Sequence, residues 1–206
     1  MNIKSTEFVV FDVETTGLSP TDGDRIVEIA AMKIKDGQVV DKFYSLVNPK
    51  RDLPAAATRV NNITGDMVAQ APTAEEVLPK LLSFIAGACV AGHNVRFDLG
   101  FLSYELALMG RKLNESTPAV DTLKMAKELL PYLSNYRLSY LARSLGVTVS
   151  ETHRAMADVE LTVQVLFRMI EMASDQNLDK VGKFITQFSV EKPSFKLTSS
   201  PQPSLF

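Results

Sequence analysis

The stretch Phe8-Val9-Val10-Phe11-Asp12-Val13-Glu14-Thr15-Thr16-Gly17-Leu18 decides how this chain is read. Four large apolar residues in succession, β-branched and aromatic, indicate a strand buried on both faces, because a half-exposed strand alternates with polar residues. Two carboxylates then arrive at period two. Along a strand that spacing puts Asp12 and Glu14 on one face with Cα atoms about 6.6 Å apart, within reach of one cation. Two anions buried side by side are very unfavourable unless positive charge lies between them, and a divalent metal is the simplest answer. Thr15-Thr16-Gly17 then ends the strand where the carboxylates emerge, with Gly17 supplying backbone freedom for the turn.

Working outward, Ser19 to Asp24 is a Pro/Gly/Asp loop. Residues 26–34 and 39–47 read as two strands separated by Asp36-Gly37, a hairpin signal, so the sheet opens antiparallel. Residues 49–65, with Pro54 and the Asn61-Asn62 pair, read as irregular. Pro72-Thr73 opens a helix with Glu75 and Glu76 in its first turn and an apolar face of Val77, Leu78, Leu81, Leu82 and Ile85. A short buried strand around Val90 leads through the loop Gly92-His93-Asn94 into a helix over 97–109. Ala119-Val120 is another short strand, and Asp121-Thr122 is an N-cap pair for a helix over 123–130. Helices over 138–145 and 155–172 follow. Strands first, then strands alternating with helices, predict an α/β sheet of mixed direction flanked by helices.

The composition suits one ordinary domain with a short appendage: 206 residues, 46% hydrophobic and 22% charged. The expected boundaries are a domain over 1–173 and an extension over 174–206. Residues 178–188 offer one more helix, whereas 191–204 are rich in Ser, Pro, Lys and Thr and read as a flexible tail. The formal net charge of −2 does not advertise a polyanionic partner, although setting aside the four acids singled out below turns the balance slightly positive. Cys89 is the single cysteine, which excludes an intramolecular disulfide and cysteine-pair zinc sites. With no apolar leader and no membrane-length apolar run, the expectation is a soluble, cytoplasmic protein with no membrane partner.

Two further acids matter. Asp98, in His93-Asn94-Val95-Arg96-Phe97-Asp98, opens a helix just past a buried strand, where ligands of open α/β sheets bind. Asp158 shares a helix face with Leu161 and Val165, so it points toward the core while Glu160 points away. His153 lies five residues before Asp158, about 140° away within one helix, and can face the same site only from the preceding loop. Four acids with one histidine suit two-metal phosphodiester hydrolysis, in which carboxylates hold cations about 3.5 to 4 Å apart and a base near neutral pH takes the proton of water. Oxygen donors suit Mg²⁺ or Mn²⁺.

Asp12-Val13-Glu14, His93-Asn94 with Phe97-Asp98, and His153 with Asp158 resemble the three motifs of the DEDDh 3′-to-5′ exonucleases, the superfamily of the proofreading ε subunit of bacterial DNA polymerase III. The resemblance covers roughly 7–172 and implies an RNase H-like fold, two catalytic divalent ions and release of nucleoside 5′-monophosphates from a DNA 3′ end, single-stranded or frayed. It implies that Asp12 bridges both ions, that Glu14 and Asp158 hold the ion carrying the water, that Asp98 serves the second ion and that His153 is the general base. Thr15, Thr16, Leu18 and Phe97 would line the 3′-nucleotide pocket. An RNA exonuclease resembling RNase T or oligoribonuclease keeps the same chemistry with another substrate. A noncatalytic adaptor that binds 3′ ends would be expected to have lost a metal ligand, and none is missing.

Other residues have plainer readings. His93 and Asn94 orient the loop that presents Asp98, Asp121 caps a helix, and Glu28 is read as structural, near the site. Lys124, Arg137 and Arg154 are available to meet phosphates, though scattered cations are ordinarily solvated surface. Gln202-Pro203-Ser204-Leu205-Phe206 resembles the Gln-x-x-Leu-Phe peptide that binds the bacterial sliding clamp, with Gln202, Leu205 and Phe206 as its anchors and Pro203 as a departure. The family resemblance also makes a polymerase subunit a candidate partner.

Overall fold

The first strand runs through the middle of a five-stranded sheet, which explains its unbroken apolar start. The structure, a computed structural model, describes residues 3–149 and 154–195. Strands β1 (Phe8–Thr15), β2 (Ile26–Lys35), β3 (Gln38–Leu46), β4 (Cys89–Gly92) and β5 (Ala119–Asp121) lie in the order β3-β2-β1-β4-β5. Pairings β1/β2 and β2/β3 are antiparallel, whereas β1/β4 and β4/β5 are parallel. This is the mixed RNase H-like sheet that the sequence predicts, with the hairpin turning at Asp36-Gly37.

The helices are α1 (Ala55–Asn61), α2 (Gly65–Ala69), α3 (Ala74–Ile85), α4 (Val95–Leu108), α5 (Thr122–Leu129), α6 (Leu138–Ser144), α7 (Ala155–Asp175) and α8 (Val181–Phe188). They cover the two faces of the sheet. Val9, Phe11 and Val13 pack with α3 and α4 on one side, through Leu78, Leu81, Leu99 and Leu102. Phe8 and Val10 pack on the other with α5, α6, α7 and α8, through Met125, Leu141, Val159 and Phe184. By strand alternation Asp12 and Glu14 continue the second row, so they leave the sheet on the face that α7 covers.

Local signals explain several boundaries. Helix α3 starts with a capping box, Thr73 accepting from the Glu76 amide while the Glu76 carboxylate accepts the Thr73 N–H at 2.8 Å. Helix α5 starts at Asp121, whose carboxylate accepts the Leu123 N–H at 2.8 Å. The structure corrects the irregular reading of 49–65, because α1 and the start of α2 lie there. Seven residues are too few to show a helical period, and most of α1 is not buried, so amphipathic patterning had nothing to report.

The end of the described chain is packed. Phe184 and Phe188 are fully buried in the cluster around α7, and the Val190 N–H donates to the Ala119 carbonyl at 2.8 Å. The part of the extension over 181–190 therefore joins the core past the expected boundary at 173. No helix among the described residues is long and apolar enough to cross a membrane.

Candidate active site

Three of the sequence-predicted acids converge beside the C-terminal end of β1. Each of Asp12, Glu14 and Asp158 offers a carboxylate oxygen, and these oxygens lie within 4.8 Å of one another. β1 supplies two of them through its period of two. The first turn of α7 supplies Asp158, and the same helix points Glu160 outward, where it pairs with Lys42 at 3.1 Å. Hard oxygen donors gathered this closely fit a divalent cation such as Mg²⁺ or Mn²⁺, and Asp12, Glu14 and Asp158 are the residues that would hold it.

Asp98 reaches this strand end from the opposite face. Pairing between β1 and β4 stops at Val10↔Ala91, and further along the Asp98 carboxylate takes the place of a neighbouring strand by accepting the Val13 N–H at 3.0 Å. It is 3% exposed, and although it stands outside the three-acid group its charge bears on Asp12. His153 lies outside the described residues, as do Gln202, Leu205 and Phe206.

The electrostatics follow from crowding. Burial, then the neighbouring acids, raise the Asp12 carboxyl well above its ordinary range. Glu14 is pushed up to about 7, chiefly by burial and then by Asp158 and Glu28. Burial also pushes Asp98 up to about 8, against the Val13 N–H that favours its charged form. Such a group of acids accepts protons or a cation far more readily than isolated carboxylates do.

The loops fix the acids in place. His93 bridges Thr122 Oγ1 at 3.0 Å and the Tyr136 carbonyl at 2.8 Å, and burial lowers its pKa, so its role is to tie loops together. Asn94 takes a left-handed conformation at φ 60° and donates its N–H to Asp121, which places the first turn of α4 and hence Asp98. Thr16 is spent within the turn, donating to Asp24 at 2.9 Å and accepting the Arg25 N–H at 3.0 Å. A Cβ at Gly17 would lie 2.2 Å from the Asp24 carboxylate, so a larger residue there would push Asp24 off its bonds to Thr16 and Ser19.

Two concavities meet at the acids. A cavity of about 430 Å³ is lined by Glu14, Thr15, Thr16, Leu18, Phe97 and the α1 side chain Val60, which gathers all four residues assigned to a nucleotide pocket. Leu18 is 85% exposed and Phe97 rests against Phe101 with ring centres 5.1 Å apart. On the other side a trough of about 710 Å³ runs from Asp12 and Asp158 past Lys127, Asn135 and Arg137. The sequence reading missed the contribution of α1, whose Asn61 donates to the Thr15 carbonyl at 3.4 Å. Pro54 before Ala55-Ala56-Ala57, a fixed φ ahead of three strong helix formers, was the available signal.

Comparison with known proteins agrees with this geometry. The exonuclease family profile matches residues 9–166. This chain belongs to the exonuclease family. It is 38% identical over 191 residues to the PolC-type DNA polymerase III of Clostridium perfringens, an alignment that covers 90% of this chain and 13% of that polymerase. The chain thus spans about an eighth of such relatives. Among solved structures it resembles exonuclease X in complex with 5′-overhanging duplex DNA, with 28% identity, a TM-score of 0.65, and coverage of 81% of this chain and 93% of that one. The fold also matches the nuclease domain of 3′hExo, a DEDDh family member bound to rAMP, with 18% identity, a TM-score of 0.72, and coverage of 83% and 94%.

Proposed function

We propose that this exonuclease domain removes nucleoside 5′-monophosphates one at a time from the 3′ end of DNA, single-stranded or frayed, in proofreading or repair. Two divalent ions, Mg²⁺ or Mn²⁺, would be held by Asp12, Glu14, Asp98 and Asp158, with Asp12 shared. The observation that carries this reading is the meeting of three carboxylate oxygens within 4.8 Å of one another at the border of an apolar pocket and a cation-flanked trough. Bound there, the ions supply positive charge against the phosphoryl oxygens and acidify a water.

The chain's own residues do the rest. The pocket beside Glu14 takes the terminal nucleoside, with Leu18 and Phe97 as apolar surfaces against the base and the Thr15-Thr16 backbone along the sugar. The trough takes the preceding phosphates, which Lys127 and Arg137 meet. His153 accepts the proton of the attacking water at an imidazole nitrogen.

The likeness to PolC-type polymerases and to a DNA-bound exonuclease supports DNA over RNA and an association with a polymerase. The test degrades 5′-labelled DNA and RNA of the same sequence in Mg²⁺ or Mn²⁺. A ladder shortening from the 3′ end, faster on DNA, is expected, and Asp12→Ala should reduce it by on the order of 10³-fold or more, since Asp12 would hold both ions and its loss would weaken both sites at once. Equal or faster loss of RNA would favour the ribonuclease reading, and near-normal turnover by the variant would refute the assignment. Residues 202–206 are proposed to engage the sliding clamp. Removing them should weaken clamp binding by at least tenfold, and an unchanged affinity removes that proposal.

A further inference from the structure

A fifth carboxylate, fully buried, stands beside the four acids that have been assigned roles. Glu28 faces Glu14 across the β1/β2 ladder and is 0% exposed. An added anion so close to Asp12 and Glu14 opposes the ionisation of both, so its presence needs a compensating purpose. Its oxygens are fully engaged. Oε1 accepts from Tyr44 Oη at 2.8 Å, Arg154 Nε at 3.0 Å and Arg154 Nη2 at 2.5 Å, and Oε2 accepts the Ala155 N–H at 2.8 Å. Tyr44 Oη in turn accepts from Arg154 Nη2 at 3.0 Å, which closes the group.

Apart from Tyr44 on β3, these contacts fall on the start of α7. Ala155 is its first residue, whose N–H has no partner inside the helix, and the Arg154 side chain makes no cap of its own. Glu28 supplies the missing cap from a strand 127 positions away. The link to the acids is one turn long, for the Arg154 carbonyl accepts the Asp158 N–H at 3.1 Å. An ion pair of this kind, with its carboxylate buried and its guanidinium partly exposed, is a poor source of stability compared with apolar packing, but it fixes geometry well, because a forked guanidinium and a carboxylate bond in few orientations.

We propose that Glu28 is a positioning residue that clamps Arg154 and the Ala155 amide, fixes the first turn of α7, and so holds Asp158 against Asp12 and Glu14. This rests on the reading of the acid group as the metal-dependent nuclease centre. It also removes Arg154 from the cations that would meet substrate phosphates, since its guanidinium is already bound.

The experiment compares the full chain with Glu28→Gln, which keeps size and loses charge, and with Arg154→Ala, whose wild-type side chain is 40% exposed. Leu106→Ala, at the far end of α4, serves as a variant destabilised by packing alone. Mn²⁺ affinity is measured without substrate by calorimetry, kcat and KM on a labelled DNA oligomer, and folding by thermal melting. Glu28→Gln and Arg154→Ala should each lower Mn²⁺ affinity and kcat by roughly ten- to a hundredfold while KM moves less than about threefold. Leu106→Ala should lower Tm and leave both readouts at wild-type values. Should Glu28→Gln not fold, Arg154→Ala decides alone. A folded variant that binds Mn²⁺ and turns over like wild type overturns the proposal. A wild-type chain that binds Mn²⁺ without cleaving DNA overturns the nuclease reading only, because the metal affinities still report on positioning.

Discussion

Asp98 shows how one residue serves both the fold and the site. It completes the hydrogen bonding of β1 at Val13, and as a buried acid pushed up to about 8 it takes up a proton or a cation more readily than an ordinary carboxylate. Together with Asp12 and Glu14 it sets a pH dependence whose sign is fixed. A carboxyl raised in the folded chain binds more protons there than in the unfolded chain between its two pKa values, so stability falls as pH rises through that interval. With ordinary values near 4 and folded values of about 7 for Glu14 and about 8 for Asp98, the metal-free chain should melt at a higher temperature at pH 5.5 than at pH 8.5. Added Mg²⁺ or Mn²⁺ should raise Tm more at pH 8.5, where fewer protons compete for the oxygens. Thermal melts at both pH values, with and without metal, check this, and a metal-free Tm that climbs with pH would contradict it.

Among the elements, β1 was the most legible in the sequence. Its buried run, its two acids and its glycine turn all agree, because burial on both faces leaves no room for another residue pattern. Helix α7 was nearly as clear, since Asp158 and its apolar neighbours share one face. Helix α1 was not legible: it is short and mostly exposed, and its importance lies in Val60 and Asn61 meeting the pocket, a long-range contact that no local pattern records. Glu28 reads as structural in the sequence, and its particular partners were illegible for the same reason, as 154 and 155 are distant in sequence. Helix α8 carries a prediction of its own. Phe184 is fully buried and packs edge-on against Phe8 and Phe188, with ring centres 6.5 and 4.9 Å away. Phe184→Ala should cost about 3–5 kcal/mol of stability by leaving a cavity, lowering Tm by roughly 2–4 °C per kcal/mol in a chain of this size. A Tm within one or two degrees of wild type would show that α8 is not part of the core.

For the molecule as a whole, the sheet brings residues from distant parts of the sequence to one strand end. β1 contributes two acids, α7 a third from one face, and α4 the buried Asp98 from the other. An apolar pocket and a cation-flanked trough open on either side of them. The order of the acids in the sequence was enough to suggest their convergence, whereas the two concavities became visible only in the folded chain. Because every functional assignment depends on those carboxylates sharing cations, the most direct measurement is anomalous diffraction from a crystal of the protein soaked in Mn²⁺. The expected result is an anomalous peak bonded to Asp12 together with Glu14 and Asp158. Manganese bound elsewhere, with no peak between these three carboxylates at saturating concentration, would contradict the account.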